Sequence, residues 1–236
     1  MKIGIMQPYF LPYIGYWQLL NTVDKFVVYD NIQFTTKSWI RRNRILQNAK
    51  DTLFTIPLKS DSDYLDIRER FISDQYFDKD AGKLIRKIKD TYRKAPYFNE
   101  AMPIIEKCFI YQEKNLFTFI FNSIQKISEY LGITTEIIVS SQIEMDHSLK
   151  SQERVIEIGR NLSATIYINP IGGLELYDSK SFESNGIDLK FIKSKNCEYK
   201  QFDNEFVPNL SIIDVMMFNS NDEIKKMLNM YELIRN

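Results

Sequence analysis

The sequence predicts an α/β fold, and three observations lead to it. Two short apolar runs, residues 3–6 and 23–29, flank a stretch with helical spacing at 13–21, the β-loop-α-β opening of a parallel sheet. The rhythm returns late, where 136–139 and 165–168 read as buried strands around a helix at 152–162. Between the two halves, residues 78–131 are helical in pattern throughout. The expected architecture is one α/β domain over 1–236: a Rossmann-like parallel sheet with a β-hairpin region at 38–72 and a helical cap inserted at 78–131.

The first strand is brief and stops at a proline. Pro8 and Pro12 lie too close to share a helix, so residues 7–12 form a loop, and Pro12 suits the first turn of the helix after it. Ile14, Trp17, Leu19 and Leu20 give that helix its inward face. A loop after the first strand of such a unit lies at the carboxyl edge of the sheet beside a helix N-terminus, where free N–H groups and the helix dipole attract anions. Gln7 and Tyr9 occupy it, with Tyr13 and Tyr16 just beyond. The second strand ends at the same edge with Asp30, Asn31 and Gln33, followed by Lys37, Trp39, Arg42, Asn43 and Arg44. These are the candidate substrate contacts, and Asp30 or a tyrosine (Tyr13, Tyr16) is the candidate base. The plain alternative is that the aromatic-proline loop only packs and the basic ribbon is only solvated.

Residues 46–58 continue as two extended pieces around an Asn48–Asp51 turn, a hairpin with Arg42 and Arg44 on one side and Arg41 on the other. Residues 64–72 alternate like a further strand. A helix at 79–93 places Leu84, Ile85, Ile88 and Tyr92 on one face and lysines and arginines around it, and Pro96 ends it. Two more helices come next, one from Phe98 to Phe109 and one over 116–131, which Gly132 stops. A solvated face explains the cations most simply; the sharper reading is a docking surface for an acidic carrier protein or a tRNA, with Lys94 the first residue to test.

In the second half, Ser140 and Ser141 end one strand, and Asn169, Gly172 and Gly173 end another. Small residues leave room for a ligand and offer backbone N–H groups, so these five join the candidate contacts. A short helix at 174–185, a strand at 189–192 and closing helices at 208–218 and 223–233 complete the chain, with Asp214 facing either core or rim.

Composition narrows the function classes. Lys plus Arg equals Asp plus Glu at 31 each, so no bulk field favours DNA or a membrane surface. Two cysteines define no disulfide framework; Cys108 reads as core and Cys197 as more exposed. No signal peptide, membrane span, zinc spacing, P-loop or G-x-G-x-x-G is visible, and a cytoplasmic protein with no metal and no evident cofactor is expected. The lone histidine, His147, sits in a polar loop, and a catalytic triad would have to recruit it. Chemistry would rest on positioning and hydrogen-bond polarisation.

The runs QPYFLPYIGYWQL, FVVYDNIQF and WIRRNRI, then KAPYF, VSSQ, QERVIEIG, YINPIGG and LSIIDVMMFN, resemble the WbqC-like family in order along nearly the whole chain. The resemblance implies a place among bacterial genes for O-antigen and related surface polysaccharides. It implies a transferase that puts an acyl or aminoacyl group, for example glycyl, on a nucleotide-linked amino sugar. The donor would arrive on an acyl-carrier protein or as an aminoacyl-tRNA. The alternative is a non-catalytic accessory protein that binds a nucleotide or glycan precursor. Residues 10–16 also resemble the strand-to-helix loop of nucleotidyltransferases, but tyrosines stand where that loop has histidines, and tyrosine cannot be a cation near neutral pH.

Overall fold

A computed structural model describes residues 1–235. In chain order the elements are β1 (Lys2–Met6), α1 (Ile14–Thr22), β2 (Lys25–Val28), the hairpin β3 (Arg42–Gln47) and β4 (Lys50–Thr55), and the helices α2 (Ala81–Tyr92), α3 (Phe98–Phe109) and α4 (Leu116–Leu131). After these come β5 (Glu136–Val139), α5 (Ser151–Asn161), β6 (Ile166–Pro170), α6 (Ser179–Glu183), β7 (Asp188–Ser194), α7 (Ile212–Phe218), α8 (Asn221–Met227) and β8 (Tyr231–Ile234).

Six strands form one sheet in the order β5-β2-β1-β6-β7-β8. The first five in that order are parallel and β8 runs antiparallel on β7. Side-chain alternation sends the two faces into different cores. Phe26, Val28, Ile168 and Ile192 pack against α1 and the helical block 81–131, in one continuous cluster that also takes in Ile45 and Phe54 of the hairpin. Ile3, Ile5, Val27, Tyr167, Leu189 and Phe191 pack on the other side against Val155 and Ile158 of α5 and Phe182 of α6. Gly4 lets the first face close: a Cβ there would stand 3.3 Å from both Leu19 and Phe26. Each large side chain fully withdrawn from water contributes about 1.5–3 kcal/mol, so these two clusters hold the layers on the sheet.

The order reverses between β1 and β6: connections from β1 lead to β2 on one side, and from β6 to β7 on the other. That is the switch point at which α/β sheets open a crevice beyond the carboxyl ends of their strands. Here the crevice is partly roofed. The hairpin forms its own two-stranded sheet, Phe10 N–H donates to Ile40 O at 2.9 Å, and Ile67 and Arg68 N–H donate to Ile32 O and Asp30 O at 2.9 and 3.0 Å.

Two expected elements differ. Residues 64–72 form a 3-10 turn at Ile67–Glu69 rather than a strand, with isolated bridges Gln33↔Asp66, Leu58↔Ile72 and Phe71↔Asn115. Their backbone groups are divided among three neighbouring segments, so no ladder forms. The last helix ends at Met227, and Tyr231–Ile234 becomes β8 because β7 offers it an open edge. The penultimate helix starts at Ile212, where Ser211 Oγ accepts from Ile213 N–H, after Asn209 in the left-handed region. Cys197 is buried, not exposed, and lies 3.7 Å from the Gln18 amide that donates toward it. Asp214 faces the core. No helix among the described residues is long and apolar enough to cross a membrane.

Candidate functional site

The loop after β1 is pinned from four directions. Leu11 O accepts from Asn43 Nδ2 at 2.8 Å and from Ser211 Oγ at 2.6 Å, Pro12 O from Trp17 Nε1 at 3.1 Å, and Phe10 N–H is held as described. These bonds keep Leu11 at φ +48°, a conformation that costs about 1 kcal/mol or more for a side-chain-bearing residue. With Phe10 and Leu11 wholly buried, Tyr9 and Tyr13 turn outward. They meet Trp39, Asn43, Arg44, Pro12 and Asn209 around a cavity of about 280 Å³, room for roughly one sugar ring. Arg42 and Arg44 share one hairpin face: their guanidiniums lie 5.4 and 4.8 Å from the centroid of the half-exposed Trp39 ring. Arg44 also pairs with Asp51 at 3.0 Å, and Arg42 donates to Ser38 O at 2.9 Å and to Lys37 O.

Burial raises the phenols of all three tyrosines here. Burial, and then Tyr13, push the Tyr9 phenol up to about 12. Burial raises Tyr13 as well, and burial, then Tyr9, carries Tyr16 well above its ordinary value. Tyr16 Oη donates to Gln7 O at 3.2 Å, and Tyr9 Oη to Gln7 Oε1 at 3.5 Å. Tyr13 lies over Gly15: a Cβ on Gly15 would stand 2.5 Å from its ring. Glycine here is what lets the ring fold back onto the first turn of α1.

A second cluster forms at the ends of β2 and β5, and it is closed. Asp30 Oδ1 accepts from Ser140 Oγ and Ser141 N–H, both at 2.9 Å, and Oδ2 from Ser141 Oγ at 2.6 Å. Asn31 Oδ1 accepts from Arg154 Nη2, and Asn31 O accepts from Arg154 Nη1 at 3.1 Å. That fixes the Asn31 amide, so its Nδ2 faces His147 Nδ1 at 3.0 Å. Arg154 stands 5.1 Å from the Tyr29 ring centroid. It tethers α5 to the strand ends, a role that its place on an amphipathic helix does not reveal.

The remaining candidates are spread out. Asn169 is buried, taking the Tyr167 hydroxyl on Oδ1 at 2.9 Å, and a Cβ on Gly173 would stand 1.8 Å from its Nδ2. Around Gly172 there is open space. Gln33 is exposed and donates to Asp63 O at 2.8 Å, and Lys37 is exposed on the approach to Trp39. Lys94 borders a different, larger groove. So Tyr9, Tyr13, Trp39, Asn43 and Arg44 share one pocket, and Asp30, Asn31, Ser140 and Ser141 share a buried network.

The model of the WbqC-like protein family matches residues 7–226, which include both clusters. The chain belongs to the WbqC-like protein family. It is 27% identical over 218 residues, 91% of this chain and 92% of the other, to the uncharacterized protein Rv1507c of Mycobacterium tuberculosis. No solved structure matches it. In this WbqC-like chain, the aromatic pocket is a surface suited to a neutral ring with an anionic substituent: flat faces for the ring, guanidiniums for the charge.

Proposed function

We propose that this protein is a transferase of surface-polysaccharide biosynthesis that places an acyl or aminoacyl group on the amine of a nucleotide-linked amino sugar. One observation carries the reading: Tyr9, Tyr13 and Trp39 wall a sugar-sized pocket whose rim bears Arg42 and Arg44. The sugar stacks on the rings, and the diphosphate lies along the guanidiniums. The neutral amine attacks the donor's carbonyl carbon; the C–N bond forms, the bond to the carrier breaks, and the amine proton leaves with the carrier or to water. Tyr13, protonated because burial raises its phenol, donates to the developing oxyanion. Asp30 and Tyr16 act as positioning residues, the first through Ser140 and Ser141 and the second through Gln7.

A second reading, a non-catalytic precursor-binding accessory protein, is favoured by the position of Asp30, which is buried and hydrogen-bonded to Ser140 and Ser141 rather than lining the aromatic pocket. Thermal-shift titration with UDP-, dTDP- and GDP-linked amino sugars tests the shared step. At a hundredfold over its dissociation constant a ligand adds about 2.7 kcal/mol of stability. No shift with any of them, or an undiminished shift in Trp39→Ala, rejects the pocket assignment. Tyr13→Phe then separates the readings. A transferase keeps sugar binding and loses acyl incorporation, whereas an accessory protein is unchanged.

A further inference from the structure

A second concavity of about 1130 Å³ lies between α2, the hairpin tip and the loop around Phe202. Lys83, Arg86, Lys87, Arg93 and Lys94 line it, against the carboxylates of Asp90 and Asp203. The surplus is three positive charges, five less two, in a chain whose charges balance at 31 each, so everything outside the groove sums to minus three. The cations are not tied up elsewhere. Lys89, on the other side of α2, pairs with Glu106 at 2.8 Å, but among the described residues none of these five makes an ion pair. Lys83, Arg86 and Lys87 lie on α2, and Arg93 and Lys94 follow its end at Tyr92, a span on the order of 16 Å at about 1.5 Å per residue. Leu46 and Phe202 add apolar surface to the floor.

We propose that this groove docks an acidic helical segment of a protein partner, the carrier that brings the group to be transferred. The length of the cation run matches three turns of an acidic amphipathic helix. RNA fits less well: it binds through many phosphates at once, and the charges of the chain outside the groove sum to minus three. Asp90 and Asp203 would face its phosphates too, whereas a protein segment can set a basic residue against them. The location suits delivery. Strand β3 carries Arg44 in the aromatic pocket and Leu46 and Gln47 in the groove, a separation on the order of 10 Å along the strand. A flexible arm on the docked partner spans that distance. The carrier's role rests on the transferase reading; the docking itself does not.

The test is fluorescence anisotropy on the full chain with labelled poly-L-glutamate of about 15 residues and, in parallel, poly(U) of the same length. The groove variant combines Lys83→Glu, Arg86→Glu and Lys87→Glu; the control makes an equal charge change with Lys107→Glu, Lys180→Glu and Lys225→Glu, and circular dichroism checks both for folding. The expected result is salt-sensitive poly-glutamate binding, weakened roughly tenfold or more in the groove variant and little changed in the control. Absent poly-glutamate binding, equal losses in both variants, or tighter binding of poly(U) overturns the proposal. The groove variant should keep its thermal shift with an amino-sugar nucleotide, and Trp39→Ala should keep poly-glutamate, so failure of either site is read independently of the other.

Discussion

Replacing Gly15 with alanine should separate ligand binding from folding. The new methyl would stand 2.5 Å from Tyr13 Cε2 and 2.7 Å from Cζ and Oη, where ordinary contact begins at 3.4 Å, so the ring must retreat by about 0.9 Å. It has somewhere to go, because Tyr13 is 36% exposed and faces the pocket rather than the core. Gly15 is in the first turn of α1 with ordinary helical backbone, so alanine there recovers up to about 1 kcal/mol of chain entropy, offset by lost contacts of the displaced ring. Net stability should stay within about 1 kcal/mol of wild type by urea denaturation. Ligand affinity should not: pushing one wall into a 280 Å³ cavity removes a stacking face worth about 1 kcal/mol or more, roughly a tenfold rise in Kd by calorimetry. Unchanged affinity would show that the seat of the Tyr13 ring is irrelevant to the ligand. A loss of stability above about 2 kcal/mol would show that the ring cannot yield, and the reasoning would fail.

Other outcomes arise from the buried polar groups. Asp214→Ala strands the Tyr92 and Tyr199 hydroxyls and the Gln201 amide, which now donate at 2.7–2.8 Å, and should cost about 3–5 kcal/mol in urea unfolding. Burial raises the Asp214 carboxyl above its ordinary 3.8, with the three hydrogen bonds opposing. Its contribution is therefore fully present below about pH 4 and lost as pH rises through the folded-state value, and the difference in stability between wild type and Asp214→Asn should follow that course. Tyr9, raised by burial to about 12 from 10.0, contributes stability that is intact below pH 10 and lost between 10 and 12. Ultraviolet titration should show its ionisation delayed relative to a free tyrosine. Gly173→Ala drives a methyl to 1.8 Å from Asn169 Nδ2; displaced Asn169 withdraws its Oδ1 from the buried Tyr167 hydroxyl, and thermal denaturation should show a loss of about 1–3 kcal/mol.

The parallel strands and the helical block were legible because their burial comes from period alone. Ile3 and Ile5 alternate, and Leu116–Leu131 repeats its apolar positions until Gly132, at φ +69°, ends it. The last strand was not legible, since Ile224, Met227, Leu228 and Tyr231 continue a helical spacing and only the edge of β7 makes the tail extended. The shared rim reads as one open surface when each strand end is taken alone. The segment around Ile67 and the hairpin cover part of it, so Asp30 and Asn31 end up beneath a roof formed by residues distant in sequence. No local feature marks Arg154 or Asn209 either, because their neighbours come from distant segments. Arg154 looks like the polar side of an amphipathic helix, and the partner that buries it is 123 residues away.

Strand β1 occupies the middle of the sheet, yet one of its two neighbours is β6: Met1 O accepts from the N–H groups of Thr165 and Ile166 at 2.9 and 3.2 Å. At synthesis rates of about 5–20 residues per second, the chain between β2 and β6 takes on the order of ten seconds to emerge. Throughout that interval a nascent β1–β2 pair presents an apolar, unpaired flank to the cell. Ribosome-bound chaperones that shield such flanks should matter more for the yield of this protein than for one whose central strands pair with near neighbours.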